Sequence, residues 1–161
     1  MVVCNVFEVS LIVSGRENPI VDFTIRTDLP VGTQIIYTCR RRYRDPHGED
    51  SLWIGQSERM TVSGDCECRG RIDMNDSDRK GAKHFQQLNT VDSTLRIASP
   101  VSDSVTIAFV VGGRQRLKEF GRNNSELSGM SVSDRGGIKI VEVIRELHIP
   151  MKSTLQPGAA L

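Results

Sequence analysis

Residues 20–45 read IVDFTIRTDLPVGTQIIYTCRRRYRD, two alternating runs joined by a turn, and their reading decides the class of fold. Val21, Phe23 and Ile25 share one parity while Asp22, Thr24 and Arg26 take the other, the period of a half-buried β-strand. The stretch DLPVGT then turns the chain, because Pro30 presets φ and Gly32 takes a positive φ at little steric cost. A second strand is predicted from about Thr33 to Tyr43, and arginines crowd its end at positions 40, 41, 42 and 44.

The same period recurs on both sides. Residues 2–13 put Val3, Phe7, Val9, Leu11 and Val13 on one face and Glu8 and Ser10 on the other. Later, Val105, Ile107, Phe109 and Val111 alternate in SDSVTIAFVV, as do Val141, Val143, Leu147 and Ile149 near the C-terminus. Shorter runs at 52–54 and 59–63 flank the polar loop RDPHGED, so at least six strands are expected. The middle, DMNDSDRKGAKHFQQLN at 73–89, lacks an apolar stripe and is predicted to be a loop with at most one helical turn. One short helix is expected near residues 113–120, where Leu117 and Phe120 stand three apart and Gly121 ends the run. So little helix argues against βαβ units, and the fold class expected is all-β: an antiparallel β-sandwich over residues 1–150, followed by a mobile tail at 151–161.

At 161 residues the chain suits one domain, which buries roughly 70% of the surface its unfolded chain exposes. Lys and Arg number 21 against 20 Asp and Glu, so any attraction to nucleic acid or membrane must be local. The N-terminal run has no basic segment and contains Asn5 and Glu8, which reads poorly as a secretory signal, and no run of 18 apolar residues suggests a membrane span. Cytoplasmic residence is the simplest reading. Cys4, Cys39, Cys66 and Cys68 are too few and irregular for a disulfide framework, and read as reduced thiols.

The phrase TDLPVGT at Thr27–Thr33, FGRNNSELSG at 120–129, the pair Gly136–Gly137 and the final alternating run IKIVEVIREL carry a further signal. Together these stretches resemble a group of uncharacterised bacterial proteins with an immunoglobulin-like β-sandwich. The resemblance implies an immunoglobulin-like scaffold in a group whose members are often exported or lipid-anchored, and it implies no activity. Here Cys4 has no apolar segment before it and runs directly into strand-like sequence instead of a tether.

The arginine run is the candidate site. Alternation would set Arg40, Arg42 and Arg44 in one basic row, with Cys39, Arg41 and Tyr43 on the other side. Arg41 sits badly on a core face beside Cys39, so the strand is expected to end there, or to bulge or lie at an edge so that both faces reach water. The row offers guanidinium forks to carboxylate or phosphate, although Asp45, Glu49 and Asp50 follow within reach and can neutralise it in cis. Trp53, the single tryptophan, reads either as a core plug between sheets or as an exposed anchor beside the arginines.

Other chemistry is thinly supported. Cys66 and Cys68 share a strand parity and could face one soft ion, with His47 or His84 completing the site. DMNDSD resembles the start of a calcium loop but has Asp78 where the glycine belongs and His84 where the final glutamate belongs. His47, His84 and His148 lie in unrelated contexts, and VVGGRQR lacks the spacing of a nucleotide loop. The function expected is a non-catalytic binding module, without cofactor, that meets a protein partner through Arg40, Arg42, Tyr43, Arg44 and Trp53. The first alternative is a nucleic-acid-associated protein, or an inhibitor of a nucleic-acid-handling complex, that grips phosphates with the same arginines. The second is a small metal-dependent hydrolase.

Overall fold

The computed structural model describes residues 1–45, 47–91 and 100–157. In chain order the elements are β1 (Val2–Val3), β2 (Phe7–Ser14), β3 (Ile20–Thr27), β4 (Gln34–Arg44), β5 (Asp50–Thr61) and β6 (Glu67–Asp73). A helix, α1 (Met74–Val91), precedes β7 (Ser104–Val111), β8 (Leu127–Ser128), β9 (Ser133–Arg135) and β10 (Ile138–His148). Two antiparallel sheets result, one ordered β2-β3-β6 and one ordered β5-β4-β7-β10-β9, while β1 and β8 form a short parallel pair. The run at 52–54 and the run at 59–63 as far as Thr61 belong to one strand, β5, and Gly32 takes the positive φ, 94°, that its turn requires.

Alternation drives the apolar faces together. Val21, Phe23 and Ile25 of β3, Ile35 and Tyr37 of β4, and Val105, Ile107, Phe109 and Val111 of β7 are all buried in one core. The two sheets meet at Phe23, whose ring lies 4.8 Å from Tyr37 and 5.0 Å from Phe109, edge-on to both. Such pairs add about 0.5–1.5 kcal/mol each beyond the area they bury.

Three expectations are corrected. The polar stretch 73–89 is no loop: most of it forms α1, started by Asp73, whose carboxylate accepts the Asp76 N–H at 3.2 Å. The expected helix at 113–120 reduces to a single turn of 3₁₀ helix, Lys118–Phe120, after which Asn123 and Asn124 turn the chain at positive φ. Residues 151–157 dock instead of hanging free: Met151 is buried, and the Gln156 amide exchanges two 2.9 Å hydrogen bonds with the backbone of Val101. Residues 158–161 lie outside the described residues.

α1 lies against β5, and a bulge receives it. Gly55 and Gln56 of β5 together oppose Cys39 of β4, which takes the Gln56 N–H out of the ladder; it donates to Ser77 Oγ at 2.9 Å instead. A Cβ on Gly55 would come within 2.1 Å of that same hydroxyl, so a side chain there would displace the helix.

Candidate interaction surface

Below the bulge the strand ladder runs unbroken from Arg40↔Ile54 to Arg44↔Asp50, and parity sorts the arginines. Arg41 points inward and is 1% exposed, among the largest fully buried side chains. Its Nε and Nη2 donate to Asp78 Oδ1 and Oδ2 at 2.8 and 3.1 Å, and its Nη1 donates to the carbonyls of Ile149 and Ser102 at 2.7 and 3.0 Å. The expectation that Arg41 requires a strand end or a wetted face is therefore corrected: the bulge exists, but α1 covers this face and Asp78 supplies the countercharge. Burial holds the Asp78 carboxyl above its ordinary range, while the hydrogen bonds and charge of Arg41 pull it down. One guanidinium thereby ties β4, α1, the segment before β7 and the segment after β10.

Next to this pair sits a second, smaller apolar cluster of Tyr43, Trp53, Val101 and Met151, with Ala82 and Phe85 of α1 packed on it. Trp53 stacks on Phe85 at 5.8 Å between ring centres, and Tyr43 meets both rings edge-on. The reading of Trp53 as an exposed anchor is corrected: its register partner is Arg41, so the same parity sends both beneath α1, and Trp53 is 2% exposed. Gly81 makes that fit possible, since a Cβ there would lie 2.0 Å from Trp53 Nε1.

Of the five contact residues expected, the structure thus brings Arg40, Arg42 and Arg44 together on the outer face of the five-stranded sheet and puts Tyr43 and Trp53 on its inner face. Tyr43 still reaches a shallow cavity of about 190 Å³ that Arg42, Arg44, Asp50, Pro100 and Ser102 also line. Across the outer face Arg40 stands between Ile54 and Thr106, and Arg42 beside Leu52. Ile36, Leu52 and Ile144 of the same face are 37%, 39% and 46% exposed, which gives the arginines apolar neighbours open to solvent.

Two of the acids that follow the row, Asp45 and Asp50, do little to neutralise Arg42. Asp45 spends one carboxylate oxygen on the N–H groups of His47 and Glu49, and Asp50 stands 3.8 Å from Arg42 with both side chains about 60% exposed. Exposed pairs at such distances contribute about 0–1 kcal/mol. The Arg40 Nε is shut off from water without a hydrogen-bond acceptor among the described residues. On the outer face of the three-stranded sheet the charges do pair, Glu8 with Arg26 at 2.6 Å, Asp22 with Arg71 at 2.8 Å and Glu67 with Arg69 at 3.2 Å.

The remaining motifs serve the fold. Each polar residue of the calcium-like stretch has a partner in the fold: Asp73 caps α1, Asn75 bonds to Glu17 and Asn18, Asp76 pairs with Arg79, Ser77 holds the bulge and Asp78 holds Arg41. Cys66 and Cys68 do not face one ion, because Cys66 precedes β6 at φ 59° and is exposed while Cys68 is buried. Among the described residues no three His, Cys, Asp or Glu side chains are grouped to hold a metal. The VVGGRQR stretch forms a strand end at which the Gln115 side chain bonds both the N–H and the carbonyl of Gln34. No helix among the described residues is long and apolar enough to cross a membrane.

The fold and surface define a mostly β chain of two facing antiparallel sheets with an arginine row on one open face. No protein-family model, curated protein or solved structure matches it.

Proposed function

We propose that this chain is a non-catalytic binding module that recognises an acidic segment of a protein partner on the outer face of its five-stranded sheet. The observation that carries the reading is the row Arg40, Arg42 and Arg44, set on one face with exposed Leu52, Ile36 and Ile144, Asp50 standing in a long contact with Arg42. Guanidinium forks donate two hydrogen bonds at a time to a carboxylate, and apolar neighbours supply the burial that charge pairs at a wet surface lack. Arg41 is locked beneath the same strand by its buried pair with Asp78.

The scaffold we assign is immunoglobulin-like. The orders β2-β3-β6 and β5-β4-β7-β10 correspond to A-B-E and C′-C-F-G of that sandwich, with α1 inserted between the E and F positions.

Calorimetric titration with a peptide rich in Asp, Glu and Leu, and in parallel with a single-stranded oligonucleotide of equal charge, tests the function. The peptide is expected to bind, and the variant Arg40→Glu/Arg42→Glu/Arg44→Glu to lose binding at least tenfold. Oligonucleotide binding that weakens log-linearly with salt by about 0.7 per phosphate contact, without peptide binding, would transfer the arginines to the nucleic-acid reading.

A further inference from the structure

Three of the strands that border the two sheets are guarded against pairing with another chain. β5 is bulged, and α1 takes its Gln56 N–H; β6 carries Glu67, Arg69, Arg71 and Asp73; β9 is the short polar run Ser133–Arg135. β2 differs. It keeps an unbroken register with β3 from Phe7↔Thr27 to Ser14↔Ile20, contains no proline or lysine, and carries one charge, Glu8. Near its end stand Ile12 and Val13, which are 70% and 43% exposed.

The phase of its hydrogen bonds follows from two contacts. Asp28 N–H donates to the Val6 carbonyl at 3.3 Å, so even-numbered residues of β2 bond to β3; Thr27 N–H donates to Cys66, so odd-numbered residues of β3 bond to β6. The backbone groups of Phe7, Val9, Leu11 and Val13 therefore point away from β3. Among the described residues none of them has a hydrogen-bond partner.

We propose that this edge pairs antiparallel with β2 of a second copy of the chain, across a two-fold axis at Ile12, so that the two three-stranded sheets become one. The phase restricts the register, because outward-pointing residues must meet outward-pointing residues. With Ile12 opposite Ile12, Leu11 and Val13 of one strand exchange bonds with Val13 and Leu11 of the other. Glu8 of each copy then faces the hairpin tip of its partner, where the chain leaves β2 after Ser14 and Arg16 is exposed, giving opposite charges at both ends. Both bonds from Arg26 fall on Glu8 Oε2, which leaves Oε1 to accept, and Arg16 is exposed at the hairpin tip. This self-complementarity selects a second copy over an unrelated strand.

Sedimentation of the full chain from micromolar to millimolar concentration is expected to show a dimer. Val13→Pro deletes an outward N–H and leaves the ladder to β3 intact, and Ile12→Lys places like charges on the axis; both are expected to give folded monomers with unchanged circular dichroism. In a Cys66→Ser background, Ile12→Cys is expected to oxidise to a covalent dimer, while Ser14→Cys, opposite Ser10, is not. A wild-type monomer across the whole range, a dimer that survives Ile12→Lys, or equal crosslinking at 12 and 14 overturns the proposal.

Discussion

Truncating Asp78 to alanine is the sharpest perturbation of the fold. It leaves the Arg41 guanidinium, 1% exposed, beneath α1 without its countercharge and with only the Ser102 and Ile149 carbonyls still accepting. Removing one partner of a buried pair costs about 3–5 kcal/mol, a large share of the roughly 5–15 kcal/mol that stabilises a domain. At about 2–4 °C per kcal/mol for a chain of this size, the melting midpoint is expected to fall by roughly 6–20 °C in differential scanning calorimetry. The loss is expected to persist in 1 M salt, where an exposed pair such as Glu8–Arg26 would be screened. Arg41→Met combined with Asp78→Leu removes both charges and is expected to recover part of the loss. A fall below about 1 kcal/mol for Asp78→Ala, or one that vanishes in salt, would refute the view that this pair organises the helix against the sheet.

Further outcomes follow from the same contacts. Gly81→Ala drives a methyl into the Trp53 indole and is expected to destabilise the chain and shift tryptophan emission to the red, readable by fluorescence during urea unfolding. Burial pushes the Cys4 and Cys39 thiols up to about 11 and raises Cys68 as well, while Cys66 is exposed, so native-state alkylation at pH 8 is expected to mark Cys66 alone by mass spectrometry. The folded state keeps those two thiols protonated where the unfolded chain releases its protons, so their contribution is complete below pH 9 and lost as pH climbs through 11. For Cys39 that loss is about 2–3 kcal/mol, and alkaline urea titrations of Cys39→Ala should show less of it. Ending the chain at Pro150 removes Met151 and the Gln156 clamp on Val101, and is expected to lower the melting midpoint and expose the Tyr43–Trp53 cluster to a hydrophobic dye.

The strands are legible in the sequence because period two survives wherever one face is buried, as along β3 and β7. α1 is not, because its inward face is Met74, Ser77, Asp78, Gly81, Ala82 and Phe85, spaced three and four apart but mostly polar or small. Each of those choices answers a tertiary demand: Ser77 for the bulge, Asp78 for Arg41, Gly81 for the indole. Hydrophobicity therefore hides the helix, and the 3.6-residue spacing of those positions from Met74 to Phe85 is the signal that would have found it. The same blind spot splits the candidate site. The register of β4 with β5 places Trp53 with Arg41, but an arginine on a core face becomes acceptable only once an acid from a distant segment is known to meet it. The outer row of Arg40, Arg42 and Arg44 needs no such knowledge, and alternation along β4 gives it directly.

The proposed function is tested most directly by following ¹⁵N resonances, including arginine Nε, while an Asp/Glu/Leu peptide is added. Shifts are expected at Arg40, Arg42, Arg44, Leu52 and Ile36, with Arg41 Nε unmoved in its buried pair. Shifts that leave these residues still and gather on the Glu8–Arg26–Glu67 face, or an Arg40→Glu/Arg42→Glu/Arg44→Glu variant that binds as tightly as the native chain, would contradict it.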